Sequence, residues 1–181
     1  MQKVDYFSIL KKYIDQSTEA YSMIIAHGAL VAAKAYKAAV KLSLTNEQKQ
    51  FIVEASMLHD IGTIQTEVYS DEKNPYIMHG VLGRKILEDE GLPRHAFVCE
   101  HHIGVGIAKE DITDGHLPLP VRDMIPQTIE EEIVAYADKF YSKKPESFYV
   151  EKSISDIILQ MKKDFGERKA HIFEEWVDRF E

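Results

Sequence analysis

The amino-acid sequence predicts an all-α protein folded as a single-domain helical bundle. Apolar residues recur at three- and four-residue spacing through most of the chain, the period of a helix with one buried face. Helix-start signals stand at Thr45-Asn46-Glu47-Gln48 and Thr128-Ile129-Glu130-Glu131, where a threonine caps the helix and a side chain three residues on reaches back. No convincing series of strand-like segments is present from which a sheet could be built. The 181 residues suit one domain with a sizeable core.

Each element follows from local signals. A first helix is expected from roughly Val4 to Ile14. Ser17 or Thr18 can cap the next, which runs through Ala20, Ile24, His27, Leu30, Val31 and Ala35. Thr45 opens a helix carrying Phe51, Ile52, Ala55, Leu58 and His59, and Gly62 is expected to end it with left-handed dihedrals. Thr63 to Pro75 is polar and reads as a surface loop that could cover a site. Helix returns from Tyr76 to Glu90 and stops at Gly91. Pro93 fits the first turn of a short helix through Val98 and the His101-His102 pair, broken by Gly104 and Gly106. The prolines of Gly115-His116-Leu117-Pro118-Leu119-Pro120 exclude regular helix. Thr128 launches a helix bearing Asp138. After Lys143-Lys144-Pro145 two further helices are expected, parted at Phe165-Gly166, with Trp176 packing the last. Their apolar faces, through Ile157, Ile158, Met161, Phe173 and Trp176, could pack on the core or on a second copy in a homo-oligomer.

Composition narrows the partners. The net charge is −8 and no basic run exists, so the electrostatic footprint of a phosphate-backbone binder is missing and no nucleic-acid partner is expected. A nucleotide substrate stays open, because bound divalent ions can reverse the local field. No uninterrupted apolar stretch reaches the length of a membrane span, so no membrane partner is expected. The start, Met1-Gln2-Lys3-Val4-Asp5, lacks the layout of a signal peptide, and a cytoplasmic location is expected. Cys99 is the single cysteine, so no intrachain disulfide can form. It adjoins the His pair and could offer a thiolate ligand; a small buried side chain is the simpler reading.

The chemistry-bearing residues centre on His59-Asp60, set in the apolar run Ala55-Ser56-Met57-Leu58-His59-Asp60-Ile61-Gly62. A buried charge is costly unless paired or metal-bound. Further imidazoles and carboxylates lie at His27, His79, His101, His102 and Asp138. His27 alone reads as a core histidine bonded to a carbonyl, and Asp138 beside Lys139 as a surface pair. Their order changes that reading. His27, His59-Asp60, His79, His102 and Asp138, with the string His59-Asp60-Ile61-Gly62, resemble the HD superfamily of metal-dependent phosphohydrolases in its "HDIG" variant. The stretches from Glu100 to Gly104 and from Ile133 to Lys139 look like a small HDIG subfamily of archaea and bacteria. The resemblance runs from about His27 to Asp138. It implies a single HD domain over residues 1–181, with a metal-binding core at about 20–142 and C-terminal helices at 146–181.

The resemblance implies one or two divalent transition-metal ions (Fe, Mn, Ni, Co or Zn), a choice that imidazole and carboxylate ligands leave open. His27, His59, Asp60 and Asp138 would hold the first ion. Asp60, His79 and His102 would hold the second, with Asp60 bridging and catalysis centred on it. His101 is the alternative to His102, because related proteins with HD-GYP motifs carry a His-His pair. Such ions lower the pKa of bound water toward neutrality. Glu54 and Glu100 are candidate partners for the second ring nitrogens of the ligands. Many relatives place a lysine or arginine three residues after the His-Asp aspartate to contact phosphate; Thr63 stands there in this chain. Arg84 or Arg94 could supply that charge instead, while Lys85 reads as a solvated helix face. His95, His116 and His171 match nothing and read as structural or exposed.

The function implied is hydrolysis of a nucleotide or other small phosphate ester by metal-activated water. Two alternatives remain open on the sequence. One is a di-iron oxygenase of HD type, with Tyr21 or Tyr36 gating the site. The other is a non-catalytic metal or nucleotide sensor.

Overall fold

Capping side chains set the helix starts. In the computed structural model, which describes residues 3–71, 73–143 and 147–181, nine α-helices occur. They are α1 (Tyr6–Tyr13), α2 (Glu19–Lys41), α3 (Asn46–Leu58), α4 (His79–Asp89), α5 (Pro93–His101), α6 (Lys109–Asp114), α7 (Ile129–Asp138), α8 (Ile154–Phe165) and α9 (Glu167–Phe180). Short 3-10 turns at Ile61–Gln65 and Tyr76–Met78 precede α4. The all-α fold is as expected, with no strand among the described residues beyond isolated bridges such as Ile107 with Met124. Met1-Gln2, at the start that was read for a leader, and the Lys144-Pro145 junction lie outside the described residues.

Asp5 and Thr18 accept the amides of Ser8 and Tyr21 at the starts of α1 and α2. The capping box of Thr45 and Gln48 is complete. That of Thr128 is only half formed. Thr128 accepts the Glu131 amide, but the Glu131 carboxylate takes His101, the Gln127 amide and the Thr128 hydroxyl in place of the Thr128 amide. The short helix α6 was not expected. Gly91, Gly104 and Gly106 take positive φ, as helix stops of that kind require.

Gly62 corrects the sequence reading. It does not adopt left-handed dihedrals; it sits inside the 3-10 turn that follows α3. What requires glycine is close approach. A Cβ there would lie 2.0 Å from the His79 carbonyl oxygen and 2.3 Å from the Gly83 amide nitrogen. The segment beyond it is also less exposed than its polarity suggested, with Thr63 and Thr66 buried.

Two apolar clusters build the body. One joins α2, α3, α7, α8 and α9 through Val31, Phe51, Ile133, Tyr136, Phe173 and Trp176. The C-terminal helices therefore pack on their own core. The other joins α1, α3, α4 and α5 through Leu10, Ile24, Leu58, Leu87 and Ala96. His27 falls between Ile24 of one cluster and Val31 of the other, and His59 follows Leu58, so the His/Asp site lies on the seam. Helix α2 is, against expectation, long and apolar enough to cross a membrane, with a mean hydropathy of 1.3. Its apolar residues here pack against α3 and α7, as a core helix requires.

Gly62→Ala is expected to cost about 3 kcal/mol of unfolding free energy, because backbone atoms on both sides must move. Urea denaturation of variant and parent checks this. A loss under about 0.5 kcal/mol would show that the turn relaxes freely.

Candidate metal centre

Helix ends deliver most of the site. His59 follows α3, His102 follows α5, His79 opens α4 and Asp138 closes α7, while His27 projects from the middle of α2. The helices come close because Gly28 has no side chain; a Cβ there would lie 3.2 Å from the Met57 Cα. Carbonyls in the last turn of a helix lack helical amide partners. Three imidazoles use such local carbonyls. The Nδ1 of His59, His79 and His102 donates to the carbonyls of Ser56, Tyr76 and Cys99, each at 2.7 Å. This fixes the tautomer that each neutral ring adopts and aims every Nε2 inward. Glu54 and Glu100, expected as partners of these rings, are engaged elsewhere. Glu54 takes the Val4 amide and Gln50, and Glu100 faces Arg84, Arg122 and His101.

The inward atoms form two groups that share Asp60. Donor atoms of His27, His59, Asp60 and Asp138 lie within 4.8 Å of one another, and so do those of Asp60, His79 and His102. Asp60 Oδ2 is 3.4 Å from His27 Nε2 and 3.2 Å from His59 Nε2. Asp60 Oδ1 is 3.5 Å from His79 Nε2 and 3.6 Å from His102 Nε2. Asp138 Oδ1 lies 2.8 Å from His27 Nε2 and 3.4 Å from His59 Nε2.

These groups fit a divalent cation on their own geometry. Asp60 Oδ1 and His59 Nε2 are buried without a hydrogen-bond partner. The Nε2 atoms of His79 and His102 stand 3.0 Å apart, and with both protons committed to Nδ1, lone pair faces lone pair. Burial, helped by His102, pushes the His79 pKa down to about 3, so a second proton does not relieve the contact. Burial also lowers His102. A cation would satisfy all of these atoms together. Burial opposes a charge on His59, but Asp60 and Asp138 outweigh it and raise its pKa to about 9, the response of a site that lacks positive charge.

His101 points away from both groups. Its Nδ1 bonds Glu131 at 2.7 Å and its Nε2 faces Glu100 at 3.6 Å. Cys99 is no part of either group; its thiol donates to the His59 carbonyl at 2.9 Å. Thr63 is buried with its hydroxyl on the Asp60 carbonyl.

A cavity of about 840 Å³ opens against His27, Asp60 and Asp138. Its other walls include Met23, Tyr69, Tyr141 and α8 residues such as Gln160 and Phe165. Neither arginine proposed for phosphate lines it. Arg84 pairs with Glu88 and Glu100, and Arg94 faces Glu130 and lies over the Phe51 ring. The cations beside the two aspartates are Lys139, which the sequence pairs with Asp138 only as a surface pair, and Lys143, which it assigns no role. Lys139 Nζ is 2.8 Å from Asp138 Oδ2, and Lys143 Nζ is 2.7 Å from Asp60 Oδ2. Only their nearness to Asp138 in the chain could have flagged them. Their charge, with that of His59, outweighs burial and holds both aspartates well below the ordinary range. The tyrosine at the site is Tyr76, stacked on His79, whereas Tyr36 is exposed elsewhere and Tyr21 packs in the second apolar cluster. His95 is buried beside Glu54, while His116 and His171 are exposed.

A model of the HD domain matches residues 24–142, and the chain belongs to the HD-domain family. Among curated proteins it is 34% identical to "Uncharacterized protein MJ0778" of Methanocaldococcus jannaschii, covering 91% of this chain and 87% of that one. It is 32% identical to a tRNA (cytidine(56)-2'-O)-methyltransferase of Picrophilus torridus over 82% of this chain and 42% of that enzyme, so it spans less than half of that relative's length. Among solved structures it shares its fold with the HD domain of the L. monocytogenes phosphodiesterase PgpH. The TM-score is 0.53 at 16% identity, over 92% of this chain and 93% of that one. The same domain in complex with cyclic-di-AMP matches with a TM-score of 0.55 at 17% identity, over 93% and 92%. Family membership and a His/Asp cluster that could hold a divalent metal support metal-dependent phosphohydrolase chemistry in general terms.

The network behind the site makes its own pH dependence. Burial opposes the charge of Glu100, but His101, Arg122 and Arg84 hold its pKa at about 2 against an ordinary 4.5. A carboxyl depressed on folding stabilises fully above its unfolded pKa, and that contribution is lost as pH falls through the folded value. Roughly 3 kcal/mol should therefore disappear between about pH 4.5 and 2. In urea titrations with chelator present, Glu100→Gln should flatten that slope. An unchanged slope would assign the acid sensitivity to other carboxylates.

Proposed function

We propose that this protein is a metal-dependent phosphohydrolase acting on a nucleotide or another small phosphate ester. The observation that carries this is the placing of Asp60. Its two oxygens face two separate sets of imidazole nitrogens, at the edge of a cavity where Lys139 and Lys143 bring ammonium groups to the aspartates. His27, His59, Asp60 and Asp138 would hold one divalent ion, and Asp60, His79 and His102 a second. Metal ions in such sites acidify water and polarise phosphoryl oxygen. The chain's own residues do the rest. The Ser56, Tyr76 and Cys99 carbonyls hold three imidazoles in the ligating tautomer. Lys139 holds Asp138, and the cavity is large enough for a nucleotide-sized molecule. The PgpH domain crystallised with cyclic-di-AMP is in keeping with a nucleotide ligand.

Elemental analysis of protein purified without added metal tests the ligand sets. Asp60→Ala should abolish binding of both ions, and His102→Ala should leave the ion at His27, His59 and Asp138. Equal loss in the two variants would remove the division into two sets.

Turnover is the second test. Nucleotides, cyclic dinucleotides and generic phosphodiesters, assayed with Mn, Fe, Co and Ni, should include a substrate for which Asp60→Ala loses at least roughly 10³-fold in kcat/KM. No turnover by metal-loaded protein across the panel would count against hydrolysis. Oxygen consumption by the iron form would favour the oxygenase alternative.

A further inference from the structure

Two ammonium groups reach the cavity end of the site, and they are placed differently. Lys139 Nζ pairs with Asp138 Oδ2, the oxygen turned away from His27, and also approaches the His102 carbonyl at 3.4 Å. Lys143 Nζ sits 2.7 Å from Asp60 Oδ2, the oxygen that faces His27 and His59. It therefore occupies the side of Asp60 that the first set of ligands surrounds. One carboxylate oxygen cannot hold an ammonium at that distance and a divalent ion together without setting like charges side by side in a poorly screened place.

A second anchor lies beside it. Lys143 Nζ donates to the Tyr76 hydroxyl at 2.9 Å and stands 5.6 Å from the centre of that ring. The Tyr76 ring is itself held by stacking on His79 at 4.6 Å. Lys143 lies beyond the end of α7, on a long flexible stem, and its side chain is 27% exposed toward the cavity.

We propose that Lys143 is an anion-binding side chain with two stations. Without a cation its ammonium is the counter-ion of Asp60. With the cation bound it leaves Asp60, stays tethered near the Tyr76 hydroxyl, and donates to a phosphoryl oxygen of the substrate. This rests on the phosphohydrolase reading above and deepens it. It assigns phosphate recognition to a lysine after α7, in a chain whose arginines at 84 and 94 are spent on glutamates. A lysine suits two stations better than an arginine, because its compact charge needs no fixed planar partner.

The two stations have opposite signatures. Mn²⁺ titrated calorimetrically into chelator-treated protein should bind Lys143→Met roughly three- to tenfold more tightly than the parent, because no ammonium competes for Asp60. Inorganic phosphate titrated into the Mn²⁺-loaded proteins should bind Lys143→Met roughly tenfold or more weakly. Lys143→Arg, which keeps the charge, should retain phosphate binding within a few-fold. A merely structural lysine would not move the two affinities in opposite directions. Unchanged Mn²⁺ affinity, or unchanged phosphate affinity, overturns the proposal, as does a parent protein that holds Mn²⁺ but no phosphate. Lys143→Gln replaces the methionine variant should that one fail to fold. If phosphate binds as expected while the substrate panel shows no turnover, the hydrolase reading fails and the anion site stands.

Discussion

A carboxylate on the seam between two apolar clusters must be given positive charge, and the surroundings of Asp60 are organised around that need. Asp60 Oδ1 is buried without a hydrogen-bond donor, and the one ammonium beside Oδ2 is that of Lys143, at 2.7 Å. Ordinary proteins meet such a demand with amides, hydroxyls or an arginine fork. Here the neighbours are imidazole nitrogens whose protons point the other way, committed to carbonyls at helix ends. Such an arrangement would favour binding of a cation, and ion binding would then be coupled to folding through this residue.

The same constraint explains which parts of the chain were legible in advance. Helix starts at Thr18 and Thr45 and the stop at Gly91 are local events, written in adjacent residues. The His59-Asp60 pair stood out because a charge in an apolar run needs a partner, whereas His27, His79, His102 and Asp138 stood out through the order in which they resemble the HD superfamily. Features that depend on contacts between distant segments did not stand out. Gly62 was read as a helix stop, but its role is to let the 3-10 turn touch the α4 backbone. Arg84 looked suited to phosphate by its distance from His79 along the helix, yet Glu100 on α5 takes it. Lys143 looked like part of a polar linker, and only the return of the chain past α7 puts it on Asp60.

The adjacent pair His101-His102 shows how finely the choice is made. Consecutive residues at the end of a helix project about 100° apart. Once His102 turns its Nδ1 to the Cys99 carbonyl and its Nε2 inward, His101 must face the other side. There Glu131 and Glu100 receive it. Glu131 is available because it does not complete the capping box at Thr128. A modest loss at one helix start thus secures the orientation of two histidines, with Glu100 held ionised by Arg84 and Arg122 behind them.

Charge would also reconcile an acidic protein with the proposed phosphate substrate. The chain carries a net −8, which would repel phosphate at long range. Inside the site the count differs. Asp60 and Asp138 are each matched by one lysine, so the two aspartates do not leave the centre negative. Each divalent ion added there would raise the local charge, and displacing the Lys143 ammonium from Asp60 would turn a neutralised lysine into an outward-facing cation. Affinity for a phosphate would then be acquired with the metal and not before it. Recognition would be confined to the loaded protein, and the negative surface would discourage binding anywhere else.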